Sequence, residues 1–395
     1  MTKHDFFFLL LFPFAQLLIA QQQLPILKAT NPVLSIKDGD EFMGNYWTLS
    51  PETKPDIYTA DKTNKAKTIT FYSDIDSISF EVKPMEQYDF VILLNEKDSC
   101  YTRIESGIRQ VQNMGVQMTP PDTIPFTLTP YNNISIQAVL NKVDTLHLMF
   151  HTAENSVNLT KEATKKTTNL NLDGVVEADS WGGGGTTRYC DHNSLQIGKF
   201  HWDNIRIWED ENAGKLTDGK FGPNLFKDKI IEIDFDNSML VIYSALPTIG
   251  EGYEQLNLVF KRGFMYIKGQ LDIGGNIYDN DFLIHSGFGG TILLDDNFVG
   301  TYNIGNKLQT ISESELKDSF GNVLKTKKAI LPALSLGKTS FQEVPIGFFD
   351  GAIGRQKMSV LGGDMLKRFN LIIDLQQAYI YLRANGLNGV PYSEG

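Results

Sequence analysis

LMFHTAENSVNLT (residues 148–160) and FLIHSGFGGTILL (residues 282–294) are two copies of one pattern. Each runs from an apolar strand into His, then Thr or Ser, then Ala or Gly. A small-residue turn and a second apolar segment follow. A strand that stops at a tight turn of this kind presents one polar side chain beyond its end. The two histidines, His151 and His285, are 285 − 151 = 134 residues apart. Duplicated halves can bring two such turns face to face, so these two positions govern any reading of function.

The repetition extends well beyond the histidines. LQIGK at 195–199 matches LSLGK at 334–338, an offset of 139. FGPNLFKDKIIEID from Phe221 matches LGGDMLKRFNLIID from Leu361, an offset of 140. Three blocks in one order with so little drift indicate an internal duplication. Units of this length are too long for solenoid repeats, and each reads as one lobe. Within a lobe the pattern predicts strands into the His turn, a loop-rich middle and a short helix capped by Asn224 or Asp364. A terminal hairpin then closes the lobe. Asp234 and Asp374 recur just before that hairpin and fit turn geometry or salt bridging.

Upstream, TITFYS (68–73) and IDSISFEV (75–82) alternate apolar and polar residues, while YDFVILLN (88–95) is more uniformly apolar. Residues 21–120 therefore read as a separate small β domain. Thr119-Pro120-Pro121-Asp122 reads as a linker, because paired prolines suit neither helix nor strand interiors. The remaining chain divides into lobes at 123–246 and 252–390. The fold class expected is all-β: an N-terminal β domain followed by two β lobes.

At the N-terminus, Lys3 and His4 precede an apolar run from Phe6 to Ala20 that is short for a membrane span. Residues 1–20 read as a signal peptide, which implies a secreted, periplasmic or cell-surface protein with no membrane span after its removal. An uncleaved anchor is the alternative. The formal net charge of −11 over 395 residues supplies no basic stripe for phosphates, so nucleic acid is not an expected partner. Cys100 and Cys190, the only two cysteines, fall in different predicted domains, and the sequence leaves open a bridge or two free thiols.

These features resemble the aspartic proteases, pepsin-like and in particular the retropepsin-like lobes that occur in tandem. In that family each lobe carries an apolar strand, Asp-Thr/Ser-Gly and a second apolar strand. A hydrophobic-hydrophobic-Gly segment packs under the turn later in the lobe. The two quoted motifs match the first element, and Phe221-Gly222 with Val360-Leu361-Gly362 match the second. The resemblance covers roughly residues 123–385 and implies a bilobal acid-protease-like fold, one short helix per lobe. It also implies an extended peptide or protein ligand lying in a cleft between the lobes. It places His151, Thr152, His285, Ser286 and Gly287 at the site. The departures are large: both catalytic Asp positions hold His, and Ala153 stands where the family has Gly.

Aspartic-protease chemistry uses two carboxylates that share one proton. Two imidazoles could imitate part of it, since a neutral ring can accept a proton from water while a cationic partner polarises a carbonyl. Three functional readings follow from the residues. One is a hydrolase working through the His151/His285 pair, and a second is a protein that binds peptides in the same cleft without cutting them. The third is a metal site, for which Glu154 is the one nearby candidate for a third ligand. Against all three stands a pair of histidines satisfied by local hydrogen bonds. No cofactor is called for, and Gly182-Gly183-Gly184-Gly185 reads as a flap tip or a plain surface loop. It is not a phosphate loop, because no Lys-Ser/Thr follows the glycines.

Overall fold

The computed structural model describes residues 24–108, 120–180, 183–211, 214–318, 321, 323–349 and 356–393. The predicted signal peptide and Trp181-Gly182 lie outside them. The described chain is dominated by strands and divides into an N-terminal sandwich and a bilobal body.

The sandwich packs two four-stranded sheets face to face. Alternation in Lys67–Tyr72, Gln87–Leu94 and Asp98–Glu105 sends Ile69, Phe71, Phe90, Ile92 and Ile104 inward, and all five are fully buried. The strands Glu41–Thr48 and Asp56–Thr59 are edges of the two sheets. Cys100 lies in this core and Cys190 in the first lobe; both are buried free thiols.

Each lobe is a sheet that curls until two of its strands meet. In the first lobe Ile134–Leu140 pairs with Asp144–Phe150 and also with Gly183–Ile197. In the second, Phe264–Ile273 pairs with Asn276–His285 and also with Val323–Leu336. A six-stranded sheet joins the lobes. At its centre Ile230–Asp234 and Phe369–Asp374, the duplicated terminal strands, run antiparallel. Each is flanked by its own hairpin partner, Met239–Tyr243 or Tyr379–Ala384, and then by an outer strand, Asp122–Pro125 or Glu254–Asn257. This arrangement relates the halves by a local two-fold, and that two-fold is what turns the His loops toward each other. Its turns are set by Asp234, which accepts from the Asn237 N–H, and Asp374, which accepts from those of Gln376 and Gln377.

Several local expectations change. The middle of the first lobe is a long hairpin, Gly174–Ser180 with Gly183–Ile197, and Gly183 to Gly185 sit inside its ladder rather than in a loop. Neither Asn224 nor Asp364 caps a helix. The short helical turns Pro223–Phe226 and Gly363–Leu366 begin after Gly222 and Gly362, with no side-chain cap. Asn224 donates instead to the carbonyl of Asn155. Asp364 is buried against Lys367 at 2.8 Å and Arg368 at 3.5 Å, and accepts from the Ser393 N–H. Additional helices, Lys161–Lys166 and Asp296–Tyr302, lie downstream of the strand leaving each His turn.

Candidate functional site

The first His turn grows from strand Asp144–Phe150, whose parallel neighbour Gly219–Phe221 carries the Phe-Gly element. The second grows from Asn276–His285, with Ser359–Gly362 alongside. In both lobes the glycine that ends the neighbouring strand lets it pass against the turn's backbone. A Cβ on Gly222 would sit 1.6 Å from the Glu154 carbonyl oxygen, and one on Gly362 would sit 2.2 Å from that of Gly290. The spacing between the two motifs in the sequence is thus a packing requirement.

Across the local two-fold the turns are laced by reciprocal bonds. The Thr152 N–H donates to Ser286 Oγ at 3.0 Å, and the Ser286 N–H to Thr152 Oγ1 at 2.9 Å. Thr152 Oγ1 then donates to the Ile284 carbonyl, and Ser286 Oγ to that of Phe150, each at 2.7 Å. Both hydroxyls are almost wholly buried, so each bond is protected from water. The partner lobe adds to this. Asn133 Nδ2 donates to the carbonyls of Ser286 and Gly287, and Asn132 Nδ2 to that of Gly289. In the sequence Asn133 stands out only as the first residue of an Asn-Ile-Ser glycosylation pattern, yet it is buried here, and only the crossing of the lobes gives Asn132 and Asn133 this role.

At the centre the imidazoles of His151 and His285 meet with ring centroids 4.5 Å apart, inclined by 55°. His151 is buried and His285 is the more open of the two. The Cδ2–Nε2 edge of His151 lies against Gly287, where a Cβ would come within 2.2 Å of the ring. Each ring also has its Nδ1 engaged by its own turn: Ala153 N–H donates to His151 at 3.2 Å, Phe288 N–H to His285 at 3.0 Å. A backbone amide can only donate, so Nδ1 is the acceptor in both rings and the proton of each neutral ring is on Nε2.

The electrostatics keep the rings neutral. Burial is the main cause, and it pushes His285 down to about 4 and His151 well below its ordinary value. Two rings in contact resist charging together, which lowers His151 further, and the Lys220 ammonium lowers both. Lys220 is a buried residue that the sequence reading missed. Its ammonium lies 2.7 Å from Asp210 and 3.3 Å from Glu154. Burial alone would lower its pKa, but the two carboxylates hold it above the usual lysine value. A lysine centred in an otherwise apolar Gly-Lys-Phe strand was the available signal.

Glu154 is committed elsewhere. One oxygen accepts from the N–H groups of Asn155 and Ser156 and from the Ser156 hydroxyl, and the other faces Lys220. Among the described residues no group of three or more His, Cys, Asp or Glu side chains is placed to hold a metal. His147 is exposed, four residues upstream of His151. No described helix is long and apolar enough to cross a membrane.

No family model matches the chain, and no curated protein matches it. Among solved structures the chain is similar to the aspartic proteinase from Irpex lacteus. The TM-score is 0.48 and the identity 11%, over 69% of this chain and 100% of that one.

Proposed function

We propose that this is an exported protein that captures extended peptide segments between its two lobes, and that the His151/His285 pair orients the peptide without hydrolysing it. The observation that carries this is the hydrogen bonding of the rings. With Nδ1 of both histidines accepting from backbone amides, the one nitrogen left on each ring is a donor. Water activation needs a base with a free lone pair, and two Nε2–H groups offer none. The Nε2–H of His285, the more open ring, suits the opposite task of donating to a peptide carbonyl or to a carboxylate, with buried His151 packed beside it. The low pKa of His285 also works against the cationic partner that a His-based hydrolase would need near neutral pH. An extended ligand fits a site walled by strands, because it can add backbone hydrogen bonds along their edges. Export rests on the apolar run that precedes Gln21.

The test is incubation of the full chain with a library of unstructured peptides, with mass spectrometry of bound and free fractions. Retained, intact peptides whose retention falls in His285→Ala are the expected outcome. Cleavage products that disappear in His151→Ala would replace this reading with the hydrolase. A double change of both histidines to Asp sharpens it: acid-optimal proteolysis would then show that the rest of the site is competent for catalysis.

A further inference from the structure

A second feature lies where the N-terminal sandwich docks on the second lobe. A cavity of about 460 Å³ opens there between the edge strands Glu41–Thr48 and Asp56–Thr59. Phe42, Tyr46 and Tyr58 line its sandwich side, and Arg262 and Gly263 close it from the second lobe. Phe42 is 55% and Tyr46 57% exposed. Large aromatics on an unpaired sheet edge invite association, and soluble proteins ordinarily blunt such edges with charge or proline. Here the aromatics are kept, and among the described residues no further strand pairs with the outer side, where the Phe42 carbonyl accepts from Arg262.

One hairpin of the second lobe runs from the cavity toward the first His turn. Arg262 and Gly263 form the tip of the hairpin made by Val259–Lys261 and Phe264–Ile273. Their two N–H groups both donate to the Asp61 carboxylate, at 2.7 and 3.2 Å. Asp61 is in turn fixed through its own N–H to the buried Asp38, which also accepts from Tyr58. The strand that leaves this tip reaches the first His turn: Ala153 packs against the apolar cluster to which Phe264 and Tyr266 belong. One hairpin therefore lines the cavity at its tip and packs beside the first His turn along its second strand.

We propose that the groove between these edge strands is an outlying subsite for the same extended peptide, taking an aromatic or large aliphatic side chain beside Phe42 and Tyr46. The unpaired strand edge matches an extended backbone, and the cavity matches one bulky apolar side chain. The guanidinium of Arg262, 62% exposed at the rim, suits an acidic residue next to it. Arg262 is partly engaged by Glu41 and by the Phe42 carbonyl, which sets its direction without burying it. This inference rests on the peptide-capture reading above and gives the N-terminal domain its part in it.

The experiment selects binders from a random 14-residue peptide library on the full chain, then measures the best binder by fluorescence anisotropy on variants. Phe42 and Tyr46 are exposed, so Phe42→Ser with Tyr46→Ser leaves the fold intact by circular dichroism. The expected result is selection of peptides with an aromatic residue flanked by Asp or Glu, about tenfold weaker binding to that double variant, and a several-fold loss with Arg262→Glu. Unchanged affinity in both variants, with wild-type binding still abolished by a bulky His285→Trp block, overturns the subsite and leaves peptide capture standing. No binder to the wild type at all overturns both.

Discussion

The two His turns are copies in backbone and opposites in what lies beneath them. Under the first, buried Asp210 and Lys220 form a charged group with half-buried Glu154. At the duplication offsets of 134, 139 and 140 their counterparts are Phe288, Phe349 and Val360, and all three belong to one apolar cluster of the second lobe. The same scaffold thus supports one histidine on an ion group and the other on packed hydrocarbon. The difference shows that the turn geometry is set by the hydroxyl lacing and the close-passing glycines, which both lobes share, and not by the chemistry below. It also shows where the site's asymmetry comes from, since the buried Lys220 ammonium that lowers both rings belongs to the first lobe.

Breaking that asymmetry has the largest expected effect. Lys220→Met withdraws the ammonium from between buried Asp210 and half-buried Glu154, and removal of one partner from a buried ion group typically costs about 3–5 kcal/mol. Val360→Ala at the matching position loses only two methyl groups and their contacts, about 2 kcal/mol. Urea unfolding of the two variants should show this order, and equal losses would deny the ion group its place in stability.

The rings themselves give a pH signature of comparable size. Their folded pKa values lie below the ordinary 6.5, so the unfolded chain binds protons that the folded chain refuses. The stability is fully present above about pH 6.5 and falls as pH drops toward 4, where folded His285 itself begins to titrate. His285 alone accounts for roughly 3 kcal/mol over that window, with His151 acting in the same direction. Thermal unfolding between pH 7 and 4, compared with His285→Gln, measures it; parallel curves would contradict it.

The smallest contrast separates the third positions of the turns. Gly287→Ala drives a methyl group into the His151 ring and should cost about 1–3 kcal/mol. Ala153→Gly, its counterpart, should lose no more than about 1 kcal/mol through backbone freedom. Chemical denaturation of the pair checks the order, and the reverse order would mean that the rings pack differently.

How much of this was legible in the sequence follows from the range of the interactions involved. The duplicated turns, the Phe-Gly and Leu-Gly elements and the pairing of Thr152 with Ser286 could be read because each sits in a short, repeated motif. The supposed caps at Asn224 and Asp364 misled, because tertiary partners took those side chains: the Asn155 carbonyl for one, Lys367 and Arg368 for the other. The glycine run looked like a loop because glycine weakens strands, yet the ladder to Ala178–Ser180 holds it extended. Lys220, Asn132 and Asn133 act on turns far away in the chain or in the other lobe, and one-dimensional patterns do not carry such contacts.

The central claim is that both imidazoles are neutral, with Nδ1 tied down and Nε2 carrying the proton. Nitrogen-15 spectra of the histidine rings in the full chain, recorded at pH 7 and followed downward in pH, test it most directly. The account predicts that His151 and His285 both show the Nε2–H tautomer and stay neutral until well below pH 6. A ring that is charged at pH 7, or that carries its proton on Nδ1, would contradict it.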